Sequence, residues 1–267
     1  MPGPELITSA QNPKIKRLLA LQRDSSLRRQ EGLFVVEGQR ELDRCLASGF
    51  TIDTVFICGD LFRGEVFLSE NFASLRIFEV SKEVYERVAY RGGTEGVIAE
   101  VRVKSRRLEE LELPERPLVV VLESVEKPGN LGAVLRSADA AGADAVIVCD
   151  PLTDLWNPNL IRASIGAVFT VPVVACSSEE AIDWLKSRGI RILTAQLQDS
   201  ELYYDTDMKC GTALVMGTES TGLSDRWREA ADAHIRIPML GSLDSLNVSV
   251  SAAILLFEAV RQRQSGI

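Results

Sequence analysis

The second half of the chain repeats one pattern: a short run of β-branched and apolar residues, then a stretch with helical periodicity. The runs fall at 118–122, 145–148, 171–174, 190–193 and 213–216. The first, Leu118-Val119-Val120-Val121-Leu122, contains no polar residue. A strand with one wet face would alternate; an unbroken run is buried on both faces, as in a parallel sheet covered by helices. Parallel neighbours need crossovers of about a dozen residues or more. The helical stretches 130–141, 157–167 and 178–188 supply them. This half therefore predicts an α/β domain on a mostly parallel sheet.

The first half alternates in shorter units. Asn12-Pro13 opens a helix as an N-cap followed by proline, with Ile15, Leu18 and Leu19 on its apolar side. Strands are predicted at 33–36, 55–57, 75–78 and 96–103. A helix through Leu42, Cys45 and Leu46 closes at Gly49, and Ser81 caps another through Val84 and Val88. Residues 104–117 are dense in charge, contain Pro114 and Pro117, and read as a linker. The division is then a basic helical extension (1–29), a small α/β domain (30–104), a linker (105–117) and a larger domain (118–267).

No run approaches the roughly 18 apolar residues of a membrane helix, and residues 1–11 show no secretory h-region. The five cysteines are scattered and His234 is the single histidine, so no metal site is expected. Free thiols fit a reducing cytoplasm. The net charge of −8 is unevenly spread. Residues 1–105 hold 15 basic and 15 acidic residues; 106–267 hold 15 and 23. Lys14, Lys16, Arg17, Arg28 and Arg29 crowd the first 29 residues, which places any phosphate-binding surface there. The same residues equally suit a solvated helix face.

Three clusters of glycine and small polar residues sit where a strand ends or a helix begins. In the first, Lys127-Pro128-Gly129-Asn130-Leu131-Gly132-Ala133-Val134-Leu135-Arg136, Leu131, Val134, Leu135 and Ala138 form an apolar stripe that Arg136 departs from. Such a strand–turn–helix unit suits a nucleotide phosphate, yet the G-x-G-x-x-G spacing is missing. Asn130 equally serves as a helix cap and Arg136 as a surface ion-pair partner. The second is Met216-Gly217-Thr218-Glu219-Ser220-Thr221-Gly222-Leu223-Ser224, at the strand end where open α/β sheets bind ligands; it is equally an ordinary turn. The third is Ile237-Pro238-Met239 with Ser245-Leu246-Asn247-Val248-Ser249. Ser245 and Asn247 are both good caps. The helix they open carries one charge, Glu258, between Val248 and Val260. It must be covered on two sides, which points to a second copy of the chain.

In order and spacing these clusters resemble the three signature motifs of the SpoU (TrmH-like) RNA ribose methyltransferases of the SPOUT class. The segment from Asn157 to Ala167 matches the family pattern as well. Residues 33–103 resemble the family's substrate-binding domain, and residues 7–16 an extension on members that modify ribosomal RNA. Thr218 and Ser220 stand where many relatives have Asn and Gly. The resemblance implies a C-terminal SPOUT α/β-knot, a trefoil knot, beside a smaller N-terminal RNA-substrate-binding α/β domain. It implies methyl transfer from S-adenosylmethionine to a ribose 2′-hydroxyl of RNA, ribosomal RNA favoured over tRNA, by a homodimer without metal. The cofactor would be held by Gly217, Ile237 and Leu246 with Thr194, Ala195 and Met239. Arg136 would stand at the hydroxyl, positioned with Asn130, Glu219, Ser245 and Asn247. A guanidinium is a poor base, so stabilising the developing alkoxide is the role expected of it. Two other readings stay open: a non-catalytic RNA-binding or ribosome-assembly protein with this fold, and a Rossmann-like enzyme acting on a small molecule.

Overall fold

The computed structural model describes residues 4–64, 75–90, 95–218 and 221–264. The chain forms two compact units, Met1–Lys104 with Trp156–Arg162, and Ser105–Leu155 with Ala163–Ile267.

The first unit runs β1 (Glu5–Ile7), α1 (Pro13–Arg23), α2 (Ser25–Glu31), β2 (Leu33–Glu37), α3 (Gln39–Ala47), β3 (Ile52–Ile57), β4 (Arg76–Val80), α4 (Lys82–Val88) and β5 (Val97–Arg102). The sheet order is β1-β4-β3-β5-β2, with β5 antiparallel to both its neighbours. Asn12 caps α1 by accepting from Lys14 N–H at 2.9 Å, as the Asn-Pro pair predicts. On one side of the sheet Ile15, Leu18 and Leu21 pack with Val84, Tyr85, Val88 and Phe56. Phe34 stacks on Trp156, ring centroids 4.5 Å apart, and Phe50 meets both edge-on. Thus a segment from far along the chain completes this unit.

The second unit contains β6 (Leu118–Glu123), α5 (Pro128–Ala141), β7 (Ala145–Cys149), α6 (Pro158–Ala163), α7 (Ala167–Thr170), β8 (Val173–Cys176), α8 (Ser178–Ser187), β9 (Arg191–Ala195), β10 (Glu201–Leu202), β11 (Thr212–Met216), α9 (Asp225–Ala230), β12 (Ala233–Arg236) and α10 (Val248–Gln264), although most of α6 belongs to the first unit. All seven strands are parallel, in the order β10-β12-β9-β11-β6-β7-β8. Every residue of β6, β7 and β11 is buried, the two-faced burial their unbroken apolar runs predict. Trp184 and Trp227 fill the core on the α8–α9 side, joined by Leu108 and Leu111.

Two details differ from the sequence reading. α5 starts at Pro128, so Asn130 lies inside the first turn instead of at its mouth. The stretch 157–167 is two short helices, because Ile165 (φ 54°) and Gly166 (φ 81°) adopt left-handed backbone that no helix continues through. α10 buries Val248, Ala252, Leu255 and Leu256, while Val250 and Phe257 face outward. Arg263 ties the end of α10 down by donating to the carbonyls of Arg116, Pro117, Met208 and Cys210 at 2.7–3.0 Å.

Candidate functional site

Strands β12, β9 and β11 are neighbours, so their C-terminal ends, Arg236, Ala195 and Met216, come out together at one sheet edge. The loops that follow enclose a cavity of about 350 Å³. Its wall includes Ala195, Gly217, Ile237, Met239, Ser245 and Leu246, drawn from all three loops. This size falls in the range of about 300–1,000 Å³ typical of small-molecule sites.

Gly217 is required by space. A Cβ built there would stand 2.2 Å from the Gly222 carbonyl oxygen, a contact that no side chain tolerates. The turn folds back on itself because Gly222 N–H donates to Thr218 O at 3.1 Å and Thr221 N–H to Thr218 Oγ1 at 3.0 Å. Gly222 takes φ 69°, open to glycine at little cost. Glu219, expected in the catalytic set, lies outside the described residues, as does Ser220. The far end of this loop is anchored by Glu123 at the end of β6. Its carboxylate accepts from Ser224 N–H (2.8 Å) and Ser224 Oγ (2.6 Å), and Trp227 Nε1 donates to Ser178 Oγ alongside. Sequence reading missed Glu123; a carboxylate closing an otherwise apolar strand is the signal that marks it.

The third cluster meets the first directly. Asn247 Nδ2 donates to Asn130 Oδ1 at 3.2 Å, while Asn247 Oδ1 accepts from Ser249 N–H at 3.0 Å and so caps α10. Ser245 Oγ donates to Asp244 at 3.2 Å on the cavity wall. Arg136 is exposed two turns along α5 from Asn130 and does not line the cavity. Thr194, expected at the cofactor, is instead fully buried behind the wall. Its hydroxyl bonds His234 Nδ1 at 2.6 Å across the β9–β12 pair. Cavity residues that sequence reading did not single out include Gln196, Arg228 and Arg236.

The basic residues of the first unit divide. Lys16 and Arg29 are exposed. Lys14 pairs with Glu5 at 2.9 Å and lies over the Phe78 ring. Arg17 donates to Glu31 and, at 2.6 Å, to Glu100. Burial pushes the Glu100 carboxyl up while Arg17 pulls it down, so Arg17 is committed to the fold. Arg28 corrects the sequence reading most plainly: it is buried, 2% exposed, and donates to the carbonyls of Leu21 and Gln22. Its guanidinium joins α2 to the end of α1 and presents no charge to a phosphate.

The family model described as the SpoU rRNA Methylase family matches residues 117–257, and that of the MRM3-like substrate binding domain matches residues 12–99. The chain is 31% identical to a 23S rRNA (uridine(2479)-2′-O)-methyltransferase of Streptomyces viridochromogenes, over 99% of this chain and 95% of the other. Its fold is similar to a crystal structure of an RNA 2′-O ribose methyltransferase, with TM-score 0.82 and 40% identity, covering 97% and 99% of the two chains. It is also similar to an AdoMet-bound rRNA methyltransferase from Sinorhizobium meliloti, with TM-score 0.86 and 29% identity, covering 96% and 97%.

Proposed function

This chain belongs to the SpoU rRNA methylase family, and on that premise we propose that it transfers a methyl group from S-adenosylmethionine to a ribose 2′-hydroxyl of ribosomal RNA. The observation that carries the reading is the convergence of the three clusters: the second and third wall one cavity, and the first is hydrogen-bonded to the third through Asn130 and Asn247. The relatives named for ribosomal RNA and the relative that holds AdoMet support the substrate and the cofactor.

The residues present fit S-adenosylmethionine. Gly217 and Gly222 bring backbone against the cavity, Ile237, Met239 and Leu246 add apolar wall, and Gln196 and Arg228 add polar groups. When bound, the cofactor supplies an activated methyl group on a sulfonium. What the chain must supply is alignment and help for a weakly acidic hydroxyl. Arg136 stabilises the oxygen as its proton passes to a phosphate or water, the guanidinium itself being a poor base. Asn130 and Asn247 hold the starts of α5 and α10 together, and Ser245 and Glu219 complete the positioning set.

The remaining readings are supported as follows. The chain's return from β12 at one side of the sheet to α10 beside α5 and β11 supports the trefoil knot. Val250 and Phe257, 46% and 49% exposed on one side of α10, support a homodimer through this unit. Lys16 and Arg29 support RNA contact by the first unit, which acts as a substrate-binding domain. The free cysteines support action in the cytoplasm. Incubation with isotopically labelled S-adenosylmethionine and ribosomal RNA tests the function, with mass mapping of digested nucleosides. A 2′-O-methylated nucleoside is expected; label on a base, or none on any RNA, refutes the proposal.

A further inference from the structure

Two residues of the cavity wall carry buried polar atoms that no described residue satisfies, Oε1 of Gln196 and Nε of Arg228. They are opposite in kind. Gln196 Oε1 only accepts, so it suits an N–H donor and repels a carboxylate. Arg228 Nε only donates. The planar guanidinium has an end, carrying Nη1, and a side edge, carrying Nε and Nη2. Nη1 is 3.5 Å from Asp225 on the same helix. Nη2 reaches the glycine turn, 4.0 Å from where a Cβ on Gly222 would stand. The side edge is therefore the part of Arg228 that no described residue engages, and it has the two-pronged form that binds a carboxylate best.

The other charged groups on the wall are engaged differently. Arg236 Nη1 donates to Ser200 Oγ at 3.4 Å, and Asp244, being anionic, accepts from Ser245. We infer that Arg228 binds the carboxylate at the amino-acid end of S-adenosylmethionine. This rests on the cofactor reading above. It assigns the end of the cofactor opposite its adenine to the α9 side of the cavity, and makes Arg228 a determinant of which adenosyl sulfonium compounds the site accepts.

Calorimetric titration of the full chain separates the two layers. The ligands are S-adenosylmethionine and its decarboxylated form, which differ only in the carboxylate. The wild-type chain is expected to prefer the carboxylated compound by about tenfold or more, the scale of a charge-assisted pair. Arg228→Met should bring the two affinities within about twofold, chiefly by weakening the first, with decarboxylated binding unchanged or slightly tighter. Arg228→Gln is the second variant should methionine disturb the fold, and equal melting temperatures certify either one. A variant that keeps the wild-type preference, or a wild-type chain without any preference, overturns the assignment. A wild-type chain that binds neither compound overturns the cofactor reading itself.

Discussion

Asn247 and Asn130, 117 positions apart, share a hydrogen bond of 3.2 Å that fastens the start of α10 to the first turn of α5. Asn247 has another task nearby, since it also caps its own helix. The bond therefore makes the geometry of one motif depend on the other.

A double-mutant cycle measures that dependence. Asn247→Ala should destabilise the chain by about 1 kcal/mol through the lost cap, and Asn130→Ala by less. Both should depress methyl transfer, and the double variant should lose less than the product of the single losses. Independent effects on kcat/KM would show that the bond does not couple the motifs.

Gly217→Ala is the smallest change that disrupts the turn on the cavity wall. With a Cβ 2.2 Å from Gly222 O, the turn must open or the side chain must displace it. S-adenosylmethionine affinity should drop at least tenfold by calorimetry while the sheet stays folded by circular dichroism. An unchanged affinity would remove the turn from the site.

Arg136 tests the chemistry apart from cofactor binding, since it does not line the cavity. Arg136→Ala should keep cofactor affinity and lower kcat on the order of 10²–10³-fold, as when an oxyanion-stabilising donor is removed. Arg136→Lys should recover little, because an ammonium lacks the planar fork. A near wild-type rate in either variant would assign Arg136 to the surface only.

Arg28 and its neighbours in sequence should respond oppositely. Lys16→Glu with Arg29→Glu, both exposed, should weaken RNA binding and reduce its salt dependence at constant melting temperature. Arg28→Met should leave RNA binding nearly intact and lower the melting temperature, because the carbonyls of Leu21 and Gln22 lose their buried donor. Filter binding and thermal melts on the same preparations distinguish the two classes.

The outward stripe of α10 predicts self-association. Sedimentation should give a dimer at micromolar concentration, and Phe257→Glu, at a half-exposed position, should yield a folded monomer. A wild-type monomer would leave the stripe without this role.

The parallel sheet was readable wherever burial on both faces excluded polar residues, as at β6, β7 and β11. β12 was not: in Ala-His-Ile-Arg only Ile235 is fully buried, so no apolar run announces it. β1 and α2 were hidden for the same reason, with one buried residue each. The glycine turn could be placed from Gly217 and Gly222 because close backbone approach leaves few alternatives. The burial of the Thr194 side chain was not readable because strand ends alternate inward and outward, and a shift of one residue moves a side chain from the cavity wall to the core. Arg28 could not be told from Arg29 by charge; only the end of α1, with its unpaired carbonyls, separates them.

Phe34 and Phe50 find their aromatic partner in Trp156, more than a hundred residues later in the chain. During synthesis the first unit therefore remains unfinished until that tryptophan has left the ribosome, well after its last strand has been made. A protease cut between residues 104 and 105 would likewise yield two fragments of which the first lacks a piece of its own interior. Evolution cannot exchange the front half of this protein for another by simple fusion at the apparent seam; any such transplant has to carry the Trp156–Arg162 insert along, or replace two phenylalanines.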